Sequence, residues 1–211
     1  MMRDFNSQNL ANTVWAYATA GVPAPALLAE CARLIASVTA WDADGLTQLH
    51  QWQLWVELEG GPPDAWQRLP GPLRLRCREA MQGAPVHPSG LQRAVGRALD
   101  AVRPGFAEEV VDERTGYSLD LALVSERVAV EVDGPSHFLA PDGDGARAPT
   151  GATRLKRRLL RAAGWRLVSV PFYEWDDASA RGAGEDEDDV RRRQREYLGG
   201  ALLREETGKL E

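Results

Sequence analysis

The 211-residue chain is long enough for one large domain or two small ones. With 44% hydrophobic and 27% charged residues it has an ordinary globular composition, and no apolar run approaches the roughly 20 residues that span a bilayer. That excludes a membrane-spanning helix, and no membrane partner is expected. A net charge of −6 argues against a protein that is basic all over for nucleic acid, but the balance is uneven. Arg154, Lys156, Arg157, Arg158, Arg161 and Arg166 form one cluster, and Glu185, Asp186, Glu187, Asp188 and Asp189 form an acidic block. Cys31, Cys77, His50, His87 and His137 are scattered, not at zinc-ligand spacings, so both cysteines are expected in the core of a protein from a reducing compartment.

In chain order, residues 1–59 read as helices. Met1-Met2-Arg3-Asp4 leads into a helical pattern without a signal peptide or transit segment, so either a cytosolic protein or a fragment lacking its leader is expected. Leu10, Val14, Tyr17 and Ala18 share a helical face, and Gly21-Val22-Pro23 stops the run. A second helix carries Leu27, Leu28, Cys31, Leu34, Ile35 and Val38. A third, from near Asp44, carries Leu46, Leu49, Trp52 or Leu54, Trp55 and Val56. Phe5 precedes Leu10, and Trp41 precedes Leu46, by the same interval, an offset of 36 residues in the range of helix-pair solenoids. Two imperfect copies cannot bury their faces alone, so the array is expected to continue upstream in a longer protein.

Residues 60–88 read as a helical linker region. Gly60-Gly61-Pro62-Pro63 breaks the pattern, 64–83 is helical with an interruption at Pro70-Gly71-Pro72, and 83–88 is loop. Ser89 caps the next helix, with Gln92 at the capping-box position and Leu91, Val95, Ala98, Leu99 and Val102 on one face. The period then changes. Residues 106–111, 117–124 and 127–133 read as strands, with turns at Arg114-Thr115-Gly116 and Ser125-Glu126. A loop over 140–150, a helix over 154–163 ended by Gly164, and a strand over 165–172 follow. The acidic block separates these from a last helix, 190–206. The expected fold class is α+β overall: an α-helical repeat remnant, then an α/β domain over 89–206 in the order α-β-β-β-α-β-α.

In 117–124 the leucines alternate with Ser118, Asp120 and Ala122, and in 127–133 the valines alternate with Ala129, Glu131 and Asp133. Period two puts the aliphatics on one face and Asp120, Glu131 and Asp133 on the other. With Ser125-Glu126 as a two-residue loop, Asp120 falls opposite Glu131. A slip of two residues puts it opposite Asp133 or Ala129 instead, and single slips are forbidden. Like charges facing each other destabilise a sheet, so a bound cation, a shared proton or a basic partner is expected; the alternative is a solvated face with arginines nearby. Asp120 and Glu131 are the candidate metal ligands, for Mg²⁺ or Mn²⁺.

The run Glu131-Val132-Asp133-Gly134-Pro135-Ser136-His137-Phe138, with Asp120 before it, resembles the core signature of the RAP domain. Residues 151–160, Gly164-Trp165, Val170-Pro171-Phe172-Tyr173-Glu174-Trp175 and Tyr197-Leu198 agree, so the resemblance covers roughly residues 105–200. Residues 5–21 resemble octotricopeptide-type repeats, and Leu46-Thr47-Gln48-Leu49-His50-Gln51 resembles the short helix often found at such junctions. The resemblance implies single-stranded RNA as a partner, alongside other organellar RNA-processing proteins. It also implies a role in chloroplast or mitochondrial transcript processing, stability, splicing or translation, and a PD-(D/E)XK, restriction-endonuclease-like fold. No small-molecule cofactor is expected. Asp120, Glu131, Asp133 and His137 become catalytic candidates for a metal-dependent endoribonuclease. The lysine that active nucleases of this type carry is replaced by Asp133, so whether the protein is an enzyme stays open. His137 is either an acid–base substitute or a residue that orients the loop or touches RNA. A protein-interaction module without RNA binding is the third reading.

Arg154, Arg157, Arg158 and Arg161 share one helical face opposite Leu155, Leu159, Ala162 and Ala163. With Lys156 and Arg166 they are the candidate phosphate contacts. The alternative is a solvated face paired with the acidic block, which could cover the arginines until RNA displaces it. Tyr173 and Trp175, expected in a loop after the strand, are candidate base-stacking residues, whereas Trp165 and Phe172 are expected to be buried.

Overall fold

The computed structural model describes residues 5–60, 69–83, 87–141 and 147–207. Expectations for Met1-Met2-Arg3-Asp4, for Gly61-Pro62-Pro63, for the helix over 64–68 and for the centres of the 83–88 and 140–150 loops lie outside the described residues. The chain falls into two compact units, one of Met1–Pro85, Glu113–Tyr117 and Arg154–Ala163, the other of Val86–Asp112, Ser118–Thr153 and Gly164–Glu211.

The first unit is helical: α1 (Ser7–Ala20), α2 (Pro25–Ile35), α3 (Ala43–Glu59), α4 (Gly71–Gln82) and most of α6 (Gly151–Ala162). Local chemistry sets the ends. Asn6 and Asn9 form a reciprocal capping box at the start of α1, with Asn9 N–H donating to Asn6 Oδ1 at 2.8 Å. Gly21 closes α1 in the left-handed region at φ 66°. Asp42 Oδ1 accepts from Gly45 N–H at 2.7 Å to start α3. Pro70-Gly71-Pro72 begins α4, where proline's fixed φ suits the first turn. Helices α1 and α3 start 36 residues apart and pack together, and Trp15 Nε1 donates to Gln51 Oε1 at 2.6 Å, again 36 positions on. Leu10, Val14, Leu28, Ile35, Leu49, Leu54 and both Trp52 and Trp55 are buried, as are Cys31 and Cys77, while Tyr17 is half-buried.

The second unit holds α5 (Gly90–Val102), β1 (Ala107–Val111), β2 (Ser118–Leu123), β3 (Val128–Asp133), β4 (Arg166–Pro171), α7 (Phe172–Ser179) and α8 (Glu187–Thr207). The sheet order is β1-β2-β3-β4, antiparallel except for the parallel β3/β4 pair, whose connection runs through α6 as a parallel pair requires. One face carries Leu121, Val128, Val130, Val132, Val168 and Val170, packed with Val95 and Leu99 of α5, Trp175 of α7 and Leu198 and Leu202 of α8. Each such side chain contributes about 1.5–3 kcal/mol by burial. The chain is therefore α+β in the expected order, with two differences. Phe172–Ser179 is an additional helix, and α8 begins within the acidic block, whose carboxylates favour a helix N-terminus.

Candidate functional site

The β2/β3 register is the expected one, with a different turn. Leu123↔Val128, Ala122↔Ala129 and Leu121↔Val130 pair, and one step further Asp120 stands across from Glu131. The loop is a 3₁₀ turn, Val124–Glu126, closed by Arg127 in the left-handed region at φ 53°. Arg127 lies 4.5 Å over the Trp165 ring and 3.6 Å from the buried Asp112, which accepts from Trp165 Nε1 at 2.9 Å. At Asp120 a side chain takes over from the ladder, Val132 N–H donating to Asp120 Oδ2 at 2.7 Å.

The β3 part of the acid-bearing face is buried and not solvated: Glu131 is 4% and Asp133 2% exposed, with Ala129 and Leu167 buried alongside, while Asp120 on β2 is half-buried. Asp133 holds two partners. Ser169 Oγ donates to Oδ2 at 2.6 Å, and His137 Nδ1 donates to Oδ1 at 3.0 Å. A carboxylate can only accept, so Nδ1 carries a ring proton. The His137 carbonyl in turn accepts from Thr150 N–H at 2.8 Å and Thr153 Oγ1 at 3.2 Å, which fixes the Pro135–His137 turn. The residue at the nuclease lysine position is thus a buried carboxylate with a bonding role of its own.

Among the described residues no group of three or more His, Cys, Asp or Glu side chains is placed to hold a metal ion.

Three polar residues at this sheet escaped sequence reasoning. Glu109, on β1 beside Asp120, sits at φ 52°, a conformation that costs a non-glycine residue roughly 1–2 kcal/mol. Gln92 Nε2 donates to Glu109 Oε1 at 2.7 Å and to Asp120 O at 3.1 Å, and Ser118 Oγ donates to Glu109 Oε2 at 2.9 Å. Ser89 does accept from Gln92 N–H at 3.0 Å, but the Gln92 side chain turns to the sheet instead of completing a capping box. Ser169 could have been found, because it alternates with Val168 and Val170 on β4.

The basic cluster does not act as one set. Arg154 and Arg161 are exposed, while Arg157 and Arg158 are half-buried. Arg158 is a structural clamp. Nη1 donates to Thr19 O at 2.9 Å, Nη2 to Ala18 O at 3.3 Å, and the guanidinium pairs with Glu59. It thereby satisfies carbonyls at the end of α1, where the helix dipole favours a cation. Lys156 lies 6.0 Å over the Tyr117 ring. Of the stripe opposite, Leu155, Leu159 and Ala163 are buried with Leu160, but Ala162 is exposed. Arg166 belongs to the second unit, 3.7 Å from Glu126. The acidic block pairs within its own helix and turn, Glu185 with Arg193, Glu187 with Arg191 at 2.7 Å and Asp189 with Arg192 at 3.1 Å.

Trp175 is 4% exposed in the core, so it is not a stacking platform. Tyr173 is half-buried, and so is Phe172, which was expected to be buried. Phe138 meets both, with ring centroids 5.4 Å from Tyr173 and 6.1 Å from Phe172, and Arg147 lies 5.2 Å over Phe172. Trp165 is buried as expected.

Residues 130–185 match the RAP domain family model, which is narrower than the stretch that resembles it by motif and leaves Asp120 outside. The chain is also similar to a RAP domain-containing protein, chloroplastic, of Oryza sativa subsp. japonica, 42% identical over 89 residues. That match takes in 42% of this chain and 13% of the rice protein, so the chain spans a small part of the length of its curated relative.

Proposed function

We propose, from the match of residues 130–185 to the RAP domain family model, that the chain is an RNA-binding part of a protein of organellar RNA metabolism, with the chloroplast as its compartment. The observation that carries this reading is the RAP match itself, and the chloroplastic relative from rice supports the compartment. No helix among the described residues is long and apolar enough to cross a membrane. The ligand of this reading is single-stranded RNA, with binding in transcript processing, stability, splicing or translation as its use. In this reading exposed cations such as Arg154 and Arg161 meet the RNA backbone, and the half-buried Tyr173 is the stacking candidate.

A second reading, RNA cleavage, is favoured by the Asp133–His137 pair. Asp133 fixes the imidazole while the His137 side chain is 41% exposed, an arrangement suited to acid–base work. One experiment separates the two. The chain is incubated with labelled single-stranded RNA in Mg²⁺, Mn²⁺ or EDTA, and binding and product are measured for wild type and His137→Gln. Binding without product is the expected result. Cleavage lost in His137→Gln would establish the second reading, and no affinity even at low salt would overturn both.

A further inference from the structure

One open groove of the second unit is lined by neither the acids of the sheet nor the aromatic trio. It lies between α5 and α8, has a volume of about 410 Å³, and takes Arg97 from one wall and Arg191 and Arg195 from the other. Ala94 and Ala98 are also among its lining residues, small side chains that let a ligand approach the helices closely. Glu187 is the one carboxylate among the lining residues, and it is already engaged by Arg191 at 2.7 Å.

The two remaining guanidiniums differ from their neighbours. Arg191, Arg192 and Arg193 each have a carboxylate within reach on their own helix or its leading turn. Arg97 and Arg195 have no hydrogen-bond or ion-pair partner among the described residues. Cations that face each other over a groove whose one lining carboxylate is already paired repel, and an anion entering the groove relieves that repulsion. The planar fork of arginine engages phosphate oxygens in pairs.

We infer that the α5/α8 groove is a phosphate-backbone track for single-stranded RNA, read through Arg97 and Arg195 and independent of base sequence. This rests on the RNA-binding reading above. Bases need not enter the groove, since its lining offers charge and small side chains but no aromatic ring. The track would add affinity to whatever part of the protein selects sequence, as backbone contacts generally do.

The test uses the full chain and a labelled oligouridylate, titrated across a salt series, with wild type compared with Arg97→Ala/Arg195→Ala. Both side chains are exposed, so the variant is expected to keep the wild-type circular dichroism and unfolding midpoint. The inference predicts that Kd rises about tenfold or more at low salt, and that the slope of log K against log salt shrinks by about two, the same for an oligoadenylate. Wild type that binds with an unchanged double variant would overturn the track and leave the RNA reading standing. Wild type that does not bind overturns the RNA reading, and the track with it. Polyglutamate binding that is lost in the double variant, while RNA binding is not, would assign the groove to an acidic protein partner and overturn the inference.

Discussion

Replacing Arg158 by methionine keeps much of the aliphatic stem and removes the guanidinium. Two bonds to the α1 carbonyls, from Nη1 to Thr19 O at 2.9 Å and from Nη2 to Ala18 O at 3.3 Å, are lost together with the Glu59 pair. A hydrogen bond made by a charged group contributes about 1.5–3 kcal/mol when buried. Arg158 is 31% and Glu59 22% exposed, so solvent screening reduces each contribution. The expected destabilisation is about 3 kcal/mol, which for a chain of this size lowers the midpoint by about 6–12 °C. A cycle with Glu59→Gln should return a coupling of about 1–2 kcal/mol, since the two side chains touch. The assay is thermal and urea unfolding followed by circular dichroism, paired with RNA titration well below the midpoint. A clamp leaves RNA affinity unchanged, whereas a phosphate contact loses affinity and little stability. A destabilisation under about 0.5 kcal/mol accompanied by weakened RNA binding would refute the structural assignment of Arg158.

Two further predictions concern buried polar groups. His50 Nε2–H donates to Thr115 O at 2.9 Å, and burial lowers its pKa below the ordinary 6.5. Below that value the unfolded chain takes up the proton before the folded one does, so stability should be flat above about pH 7 and fall as pH drops through 6.5. The contribution of this one group is at most about 1.4 kcal/mol per pH unit, and His50→Gln should abolish it in urea midpoints; identical pH profiles for the two proteins would count against it. Asp133→Lys would restore the acid-x-lysine pattern of active nucleases, but it exchanges a buried carboxylate for an ammonium beside His137 and Ser169. It should cost at least about 3 kcal/mol and confer no nuclease activity. A stable variant with new Mg²⁺-dependent cleavage would show that the geometry of Asp133 had been misjudged.

The faces of β2 and β3 were legible because a strand has only two, and the leucines and valines claimed one of them. The register survived a wrong turn for the same reason. A two-residue loop and the observed 3₁₀ turn both put residue 124 beside residue 127, and every slip that keeps the aliphatics together moves by two. Alternation says which residues share a face but not what covers it, so the burial of Glu131 and Asp133 could not be read. Trp175 was lost to a different cause. Pro171 ends β4 and serves as the N-cap of α7, and one helical turn then carries Trp175 into the core, where a loop would have left it outside.

Charge was the least legible property, and the reason is chain distance. A helical wheel places Arg154, Arg157, Arg158 and Arg161 together, but the carbonyl that fixes Arg158 lies 140 residues away. The acidic block, read as a distant cover for those arginines, has nearer suitors. Arg191 and Arg192 stand three or four positions from Glu187, Asp188 and Asp189, where a helix brings side chains together without closing a loop. Local pairs form first in any such competition, and each one removes a cation from the set that an outside phosphate can recruit. A cation run is therefore a poor guide to a nucleic-acid surface until its local acids are subtracted. Among the arginines that line the α5/α8 groove the subtraction takes out Arg191 and leaves Arg195 and, on the facing helix, Arg97, which no count of basic residues along the sequence would have selected.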